Sequence, residues 1–157
     1  MHTTTLPTPI GPFSLAVAAA GVYAAGFTSD PSRLELPAKP VTGLGDVLAV
    51  TAAVRAYFDG DVHALDAIPV YQQGSPFTVS AWNSMRQVRP GSTATYTELA
   101  GSAGNPGAAR AAGAACAKNL VPLVVPCHRI VRSDGSLGGY YYGLAIKRWL
   151  LAHEGVA

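Results

Sequence analysis

Leu123-Val124-Val125-Pro126-Cys127-His128-Arg129-Ile130 constrains this chain more than any other stretch. Three apolar residues predict a short buried strand. Pro126 must end it, because proline has no N–H to continue a ladder. A thiol, an imidazole and a guanidinium follow at once. A cysteine at the end of a rigid element, beside two groups able to carry positive charge, is placed for a lowered pKa, and the thiolate is the reactive form. The competing reading is an inert core cysteine, the commoner fate of a thiol beside an apolar run.

The rest of the chain supplies the setting. Its 157 residues, 49% hydrophobic and 13% charged, suit one compact domain or two small ones. Charge is uneven. Residues 1–74 carry three Lys/Arg against six Asp/Glu, and residues 75–157 carry eight against three. The basic half also holds the Pro-Cys-His-Arg stretch, which suits an anionic partner such as nucleic acid, although a solvated face gives the same balance. With only Cys116 and Cys127 and no export signal, two free thiols in a reducing, cytoplasmic setting are expected. No Cys/His spacing suggests zinc, and neither metal nor cofactor is expected. The alanine-rich run from Phe13 to Gly26 lacks a basic leader, since the first Lys or Arg is Arg33, and it is too short to span a bilayer. It reads as a β-hairpin.

In order, 2–7, 13–18 and 22–28 read as strands, and 30–44 as a proline-rich loop. A helix is expected over 46–58, where Val47, Val50, Val54, Tyr57 and Phe58 recur at helical spacing. Residues 67–71 read as a short edge strand. Gly74-Ser75-Pro76 marks the boundary between a first domain, 1–74, and a second, 75–157. Ser75 caps a helix whose first position suits Pro76 and whose inner side carries Phe77, Ala81, Trp82 and Met85. Thr95 and Glu98 form a capping box for a short helix to about Ala103. Gly104 turns the chain, and Asn105-Pro106 opens an alanine-rich helix over 107–117. That pair reads as a helix-turn-helix. Apart from Arg110, and Lys118 just beyond its end, its second helix offers almost nothing that reads base edges, which fits binding without sequence preference. After a turn over 132–136, the glycine-flanked Tyr140-Tyr141-Tyr142 reads as a pocket wall, and 144–153 as a closing helix.

Pro126-Cys127-His128-Arg129 followed by an aliphatic residue resembles the signature of the O6-alkylguanine-DNA alkyltransferases. Phe77, Trp82, the Tyr96 helix, Gly104-Asn105-Pro106, Ala109-Arg110-Ala111, Asn119, Gly139-Tyr140 and Glu154 resemble family positions in the right order. The resemblance covers most of 75–157 and, more loosely, the opening strands. It implies an α/β N-terminal domain with a small antiparallel RNase H-like sheet, and a mainly α C-terminal domain with a winged-helix-like helix-turn-helix. It also implies Cys127 as alkyl acceptor, His128 as the base acting through a water, Glu154 as the carboxylate that orients the histidine, and Asn119 as a brace for the turn. Tyr96 would help rotate the target nucleotide and bond the guanine edge. Arg110 would fill the vacated space, Ile130 would contact the base through its backbone, and Tyr141 would lie near guanine O6. Arg129 joins them as a substrate- or DNA-binding residue. The implied partner is duplex DNA carrying O6-alkylguanine, met by a monomer and no membrane.

The chemistry coheres with that likeness. An alkyl carbon on guanine O6 lies inside the stack, so the nucleotide must be flipped out before a thiol reaches it, at a cost of about a few kcal/mol. The thioether product is a poor leaving group, so one turnover per molecule is expected. Thr78, Arg89 and Tyr142 depart from common family residues, and Cys116 occupies a variable position. Tyr142 bears on tolerance of large substituents. Three rivals remain: a non-catalytic alkyltransferase-like protein, which Cys127 opposes; a plain winged-helix regulator, which the bare second helix opposes; and a Cys-His hydrolase, which leaves the helix-turn-helix unexplained.

Overall fold

The alanine-rich run folds as the hairpin its pattern predicts and forms two strands of a three-stranded antiparallel sheet. The structure, a computed structural model, describes residues 2–156. Strands β1 (His2–Leu6), β2 (Phe13–Ala18) and β3 (Gly21–Gly26) lie in that order, with Leu6 opposite Phe13 and Ser14 opposite Gly26. Every residue of β2 and β3 is buried, which explains their continuous rather than alternating apolar character. Gly21 is required at the turn into β3. Its φ is +131°, and a Cβ there would run into the Pro69 carbonyl.

That close approach builds the sheet's outer edge. Val22 N donates to Pro69 O at 2.9 Å and Tyr71 N to Val22 O at 2.9 Å, so the expected 67–71 strand is reduced to one parallel bridge at Val70. Helix α1 (Val47–Phe58) starts at Asp46, whose carboxylate accepts from Ala49 N, and buries Val50, Thr51, Val54 and Tyr57. Residues 120–124 join this first unit, which comprises 1–73 and 120–124. Ala25 N donates to Leu120 O at 2.9 Å, and Leu120 N to the Gln72 side chain at 3.1 Å. The continuous 75–157 segment expected from the sequence is therefore interrupted by a short excursion.

The second unit comprises 74–119 and 125–157. Helix α2 (Pro76–Met85) is capped by Ser75 and buries Thr78, Ala81, Trp82 and Met85; Phe77 is only half-buried. Strand β4 (Ala94–Thr95) leads into α3 (Tyr96–Ser102). Both halves of the capping box are made, Glu98 N to Thr95 Oγ1 at 3.1 Å and Thr95 N to Glu98 Oε1 at 2.9 Å. Such a cap stabilises a helix start by about 1 kcal/mol.

Helix α4 (Ala109–Ala117) begins two residues later than its sequence suggests. Asn105 Oδ1 accepts from Gly107 N at 3.1 Å, an Asx turn that holds Pro106 outside the helix. Trp82 Nε1 donates to Ala115 O at 2.9 Å and ties α2 to α4. Strand β5 (Ile130–Val131) pairs in parallel with β4, Ala94 opposite Ile130, and α5 (Leu144–His153) closes the unit. This two-residue ladder, invisible in the sequence pattern, sets the start of α3 beside the residues that follow Cys127.

Leu123-Val124-Val125 is not a strand. Leu123 lies at φ +75° and Val124 in a turn, although all three side chains are buried. A short apolar run reports burial, and here burial is achieved without a ladder.

Candidate active site

Pro126 and the turn after it decide where each functional group points. Cys127 N donates to Val125 O at 2.8 Å and Arg129 N to Pro126 O at 3.0 Å, winding Cys127–Arg129 into one turn of 3-10 helix. Successive side chains in such a turn diverge by about a third of a revolution. Cys127 therefore keeps some accessible surface while His128 and Arg129 enter the interior, 0% and 5% exposed.

Inside, both meet Glu154 at the end of α5. His128 Nε2 lies 2.8 Å from Glu154 Oε2. Arg129 donates through Nε to Oε1 at 2.9 Å and through Nη2 to Oε2 at 3.0 Å, and its Nη1 reaches Val88 O at 2.7 Å. Burial pushes the Glu154 carboxyl up, but the hydrogen bonds from His128 and Arg129 and their charges outweigh it and leave it at about 2. Burial lowers the His128 pKa, against an opposing pull from Glu154, so the imidazole is neutral at neutral pH. A carboxylate only accepts, so Nε2 carries the proton and Nδ1 presents its lone pair. Nδ1 is buried and has no protein hydrogen-bond partner among the described residues.

The thiol departs from the sequence expectation. Burial raises the Cys127 pKa; the Asn119 hydrogen bond and the Lys147 charge pull it down without cancelling the rise. The two cations invoked from the sequence do not supply the field, since His128 is neutral and Arg129 is matched by Glu154. Arg129, expected from the sequence at the substrate or DNA, has its guanidinium buried and committed to Glu154 and Val88, an internal ion pair.

Asn119 donates through Nδ2 to Val125 O at 2.9 Å, just before the proline. Tyr96 opens α3 and stands against the glycine loop. A Cβ on Gly138, at φ +72°, would lie 2.8 Å from the Tyr96 hydroxyl. Burial raises the Tyr96 pKa, and Cys116 and Cys127 add to the rise, so its phenol remains a donor. Ile130 is fully buried with its carbonyl turned to Lys147. Arg110 is exposed on the first turn of α4. The Tyr141 ring is 91% exposed and meets Tyr142 edge-on at 4.9 Å. Cys116 lies on α4, its thiol pushed up to about 12, chiefly by burial.

Lys147 is the residue that the sequence reading missed. It is completely buried, and its ammonium donates to Ile130 O at 2.6 Å, Leu137 O at 2.5 Å and Gly139 O at 3.2 Å. One charge thus fastens the glycine loop to the strand leaving Cys127. The signal was present: Lys147, Leu150 and Leu151 form the buried stripe of α5, and Glu154 at its C-cap continues it at helical spacing, with a charge at each end. A charge on an apolar stripe must find partners, and both do. Among the described residues no group of three His, Cys, Asp or Glu could hold a metal ion.

Comparison with known proteins places this geometry among relatives. Residues 76–156 match the family model described as 6-O-methylguanine DNA methyltransferase, DNA binding domain. The chain is 40% identical to a methylated-DNA–protein-cysteine methyltransferase of Homo sapiens, an alignment covering 99% of this chain and 81% of the relative. It is 35% identical to one from Methanosarcina acetivorans, covering 99% of both. Among solved structures, Mycobacterium tuberculosis OGT in complex with DNA is similar at a TM-score of 0.80 and 31% identity, covering 99% of this chain and 93% of that one.

Proposed function

The chain belongs to the methylated-DNA–protein-cysteine methyltransferase family, and from that premise we propose that it repairs O6-alkylguanine in duplex DNA by moving the alkyl group onto its own Cys127. Family membership supplies the reaction class, and the site must supply the mechanism. The observation that carries the reading is the buried Glu154–His128 pair, which leaves a basic Nδ1 without a protein partner among the described residues, on the same 3-10 turn as Cys127.

The exposed, nearly featureless face of α4 enters a groove of the duplex, and Arg110 occupies the space left when the damaged nucleotide rotates out. Tyr96 borders the pocket and bonds the guanine edge, while the backbone around Ile130 and Tyr141 contacts the base. A water passes the Cys127 proton to His128 Nδ1. Glu154 stabilises the resulting imidazolium across 2.8 Å. The sulfur then attacks the alkyl carbon, forming the C–S bond as the C–O6 bond breaks. The electron pair goes to the guanine, whose developing charge accepts a hydrogen bond from the Tyr96 hydroxyl; the proton held on His128 then returns through water to the departing guanine, leaving the phenol and the imidazole neutral. Asn119 and the Lys147 ammonium stabilise the thiolate while it exists. Among the described residues no second nucleophile or metal cluster stands at the site to attack the thioether, which supports one transfer per molecule.

The three-stranded sheet of the first unit supports an RNase H-like reading of that unit, and the α3–α4 pair followed by β5 supports a winged-helix-like reading of the second. We place the protein in the cytoplasm as a monomer on DNA. Among the described residues no helix is long and apolar enough to cross a membrane.

Intact mass after mixing with a duplex carrying one O6-methylguanine tests the proposal. The expected result is the gain of one methyl group, located on Cys127, saturating at one per protein and absent from Cys127→Ala. Lesion binding with no mass gain would replace repair by non-catalytic recognition.

A further inference from the structure

Arg132 and Arg148 play no part in the site above, yet they face the same depression. A groove of about 690 Å³ is lined by Arg132, the loop from Gly135 to Tyr140, and Gly143, Leu144 and Arg148. Both arginines are exposed, and neither forms a salt bridge among the described residues. The one acidic side chain on the turn, Asp134, takes its hydrogen bonds from Ser136, whose N and Oγ donate to its Oδ1 at 2.9 and 2.7 Å, and meets Arg132 through its charge alone, with no ion pair between them. The glycines keep side chains out of the trough, so an elongated anion can approach the backbone closely.

We propose that this groove seats the sugar–phosphate backbone of DNA beside the extruded nucleotide, Arg132 and Arg148 each neutralising one phosphate. The inference rests on the transferase reading for the choice of DNA as the anion. Two observations favour a nucleic-acid backbone over a small anion. The groove wall is continuous with the candidate active site, because Gly138 lines it and also abuts the Tyr96 hydroxyl. The Arg132 charge is also felt at both Tyr96 and Lys147. The loop whose carbonyls hold Lys147 thus presents its Leu137 and Gly139 to the groove as well. A phosphate held there would fix the strand at the point where the base leaves the stack.

The test compares the full-length protein with Arg132→Gln/Arg148→Gln and Arg132→Lys/Arg148→Lys. Duplex affinity is measured against salt for lesion and undamaged DNA, together with the rate at which iodoacetamide alkylates Cys127. Each phosphate contact contributes about 0.9 to the slope of log affinity against log salt. The glutamine pair should lower that slope by about two on both duplexes and weaken binding at low salt at least tenfold. The lysine pair should retain most of the slope, and all three proteins should alkylate at similar rates. An unchanged slope would overturn the proposal. So would a loss of thiol reactivity matching the loss of affinity, which would make the arginines part of the reaction pocket. Methyl transfer by the unsubstituted protein is read separately. Its absence would sink the transferase reading while the salt slopes still decide the groove.

Discussion

Glu154→Gln keeps the shape of the buried carboxylate and removes its charge. The wild-type group sits at about 2, against 4.5 for an unperturbed glutamate. A folded-state pKa below the unfolded one stabilises the fold fully above pH 4.5, and that stabilisation disappears as pH falls towards 2. At about 1.4 kcal/mol per pH unit the contribution near neutrality is about 3 kcal/mol. Glu154 is 7% exposed and Arg129 5%, so solvent screens the pair little. A second route gives the same size: removing one partner of a buried ion pair costs about 3–5 kcal/mol. Urea unfolding of both proteins from neutral to strongly acid pH is the assay. The variant should be about 3 kcal/mol less stable near pH 7. The gap should persist to about pH 5, fall to about half near pH 3 and close as pH approaches about 2. His128, also lowered in the fold, adds a decline below 6.5 in both proteins. Methyl transfer should slow by about a hundredfold or more, because the imidazole loses the group that fixes its tautomer. A loss under about 1 kcal/mol at neutral pH, or a gap that stays constant into acid, would refute the claim that this charge holds the site.

Lys147→Met, close in length, leaves three carbonyls without a donor and should cost about 3 kcal/mol in urea unfolding. Its transfer rate should peak at higher pH than wild type, because a cation that lowers the Cys127 pKa is gone; an unmoved pH–rate profile would show the lysine to be purely structural. Gly138→Ala puts a methyl group on a backbone at φ +72° and 2.8 Å from the Tyr96 hydroxyl, so thermal stability and duplex transfer should both fall. Unchanged transfer would separate that hydroxyl from the reaction. Arg129→Met should lower stability and leave the salt dependence of DNA binding unaltered, and a reduced salt slope would return Arg129 to the interface.

Sequence reading succeeded where local chemistry decides structure. Ser75-Pro76, the Thr95/Glu98 box and the 144–153 helix stand where their patterns put them, because caps and helical stripes are short-range signals. It failed where the outcome depends on partners distant in the chain. Leu123–Val125 carries a strand's composition but finds no ladder. Arg129 reads in sequence as a cation for the thiol or for DNA, but Glu154, 25 residues on, holds it. Lys147 was legible only as an anomaly on an apolar stripe, since the three carbonyls that explain it come from 130, 137 and 139.

The raised Cys127 pKa follows from what a single-use nucleophile requires. An enzyme that turns over gains from a standing thiolate, which is also the form that oxidants and stray electrophiles consume. A protein that transfers once has no spare acceptor, so a thiol kept protonated at rest retains its only equivalent. The cost is that deprotonation must accompany the reaction, and the site is arranged for that. In the proposed mechanism the lone pair of neutral His128 receives the proton, ionised Glu154 at about 2 stabilises the imidazolium, and Asn119 and Lys147 favour the thiolate while it lasts. Burial of Arg129 belongs to the same logic. It keeps Glu154 ionised in an interior that would otherwise protonate it, and a protonated Glu154 could neither fix the tautomer nor carry the imidazolium charge.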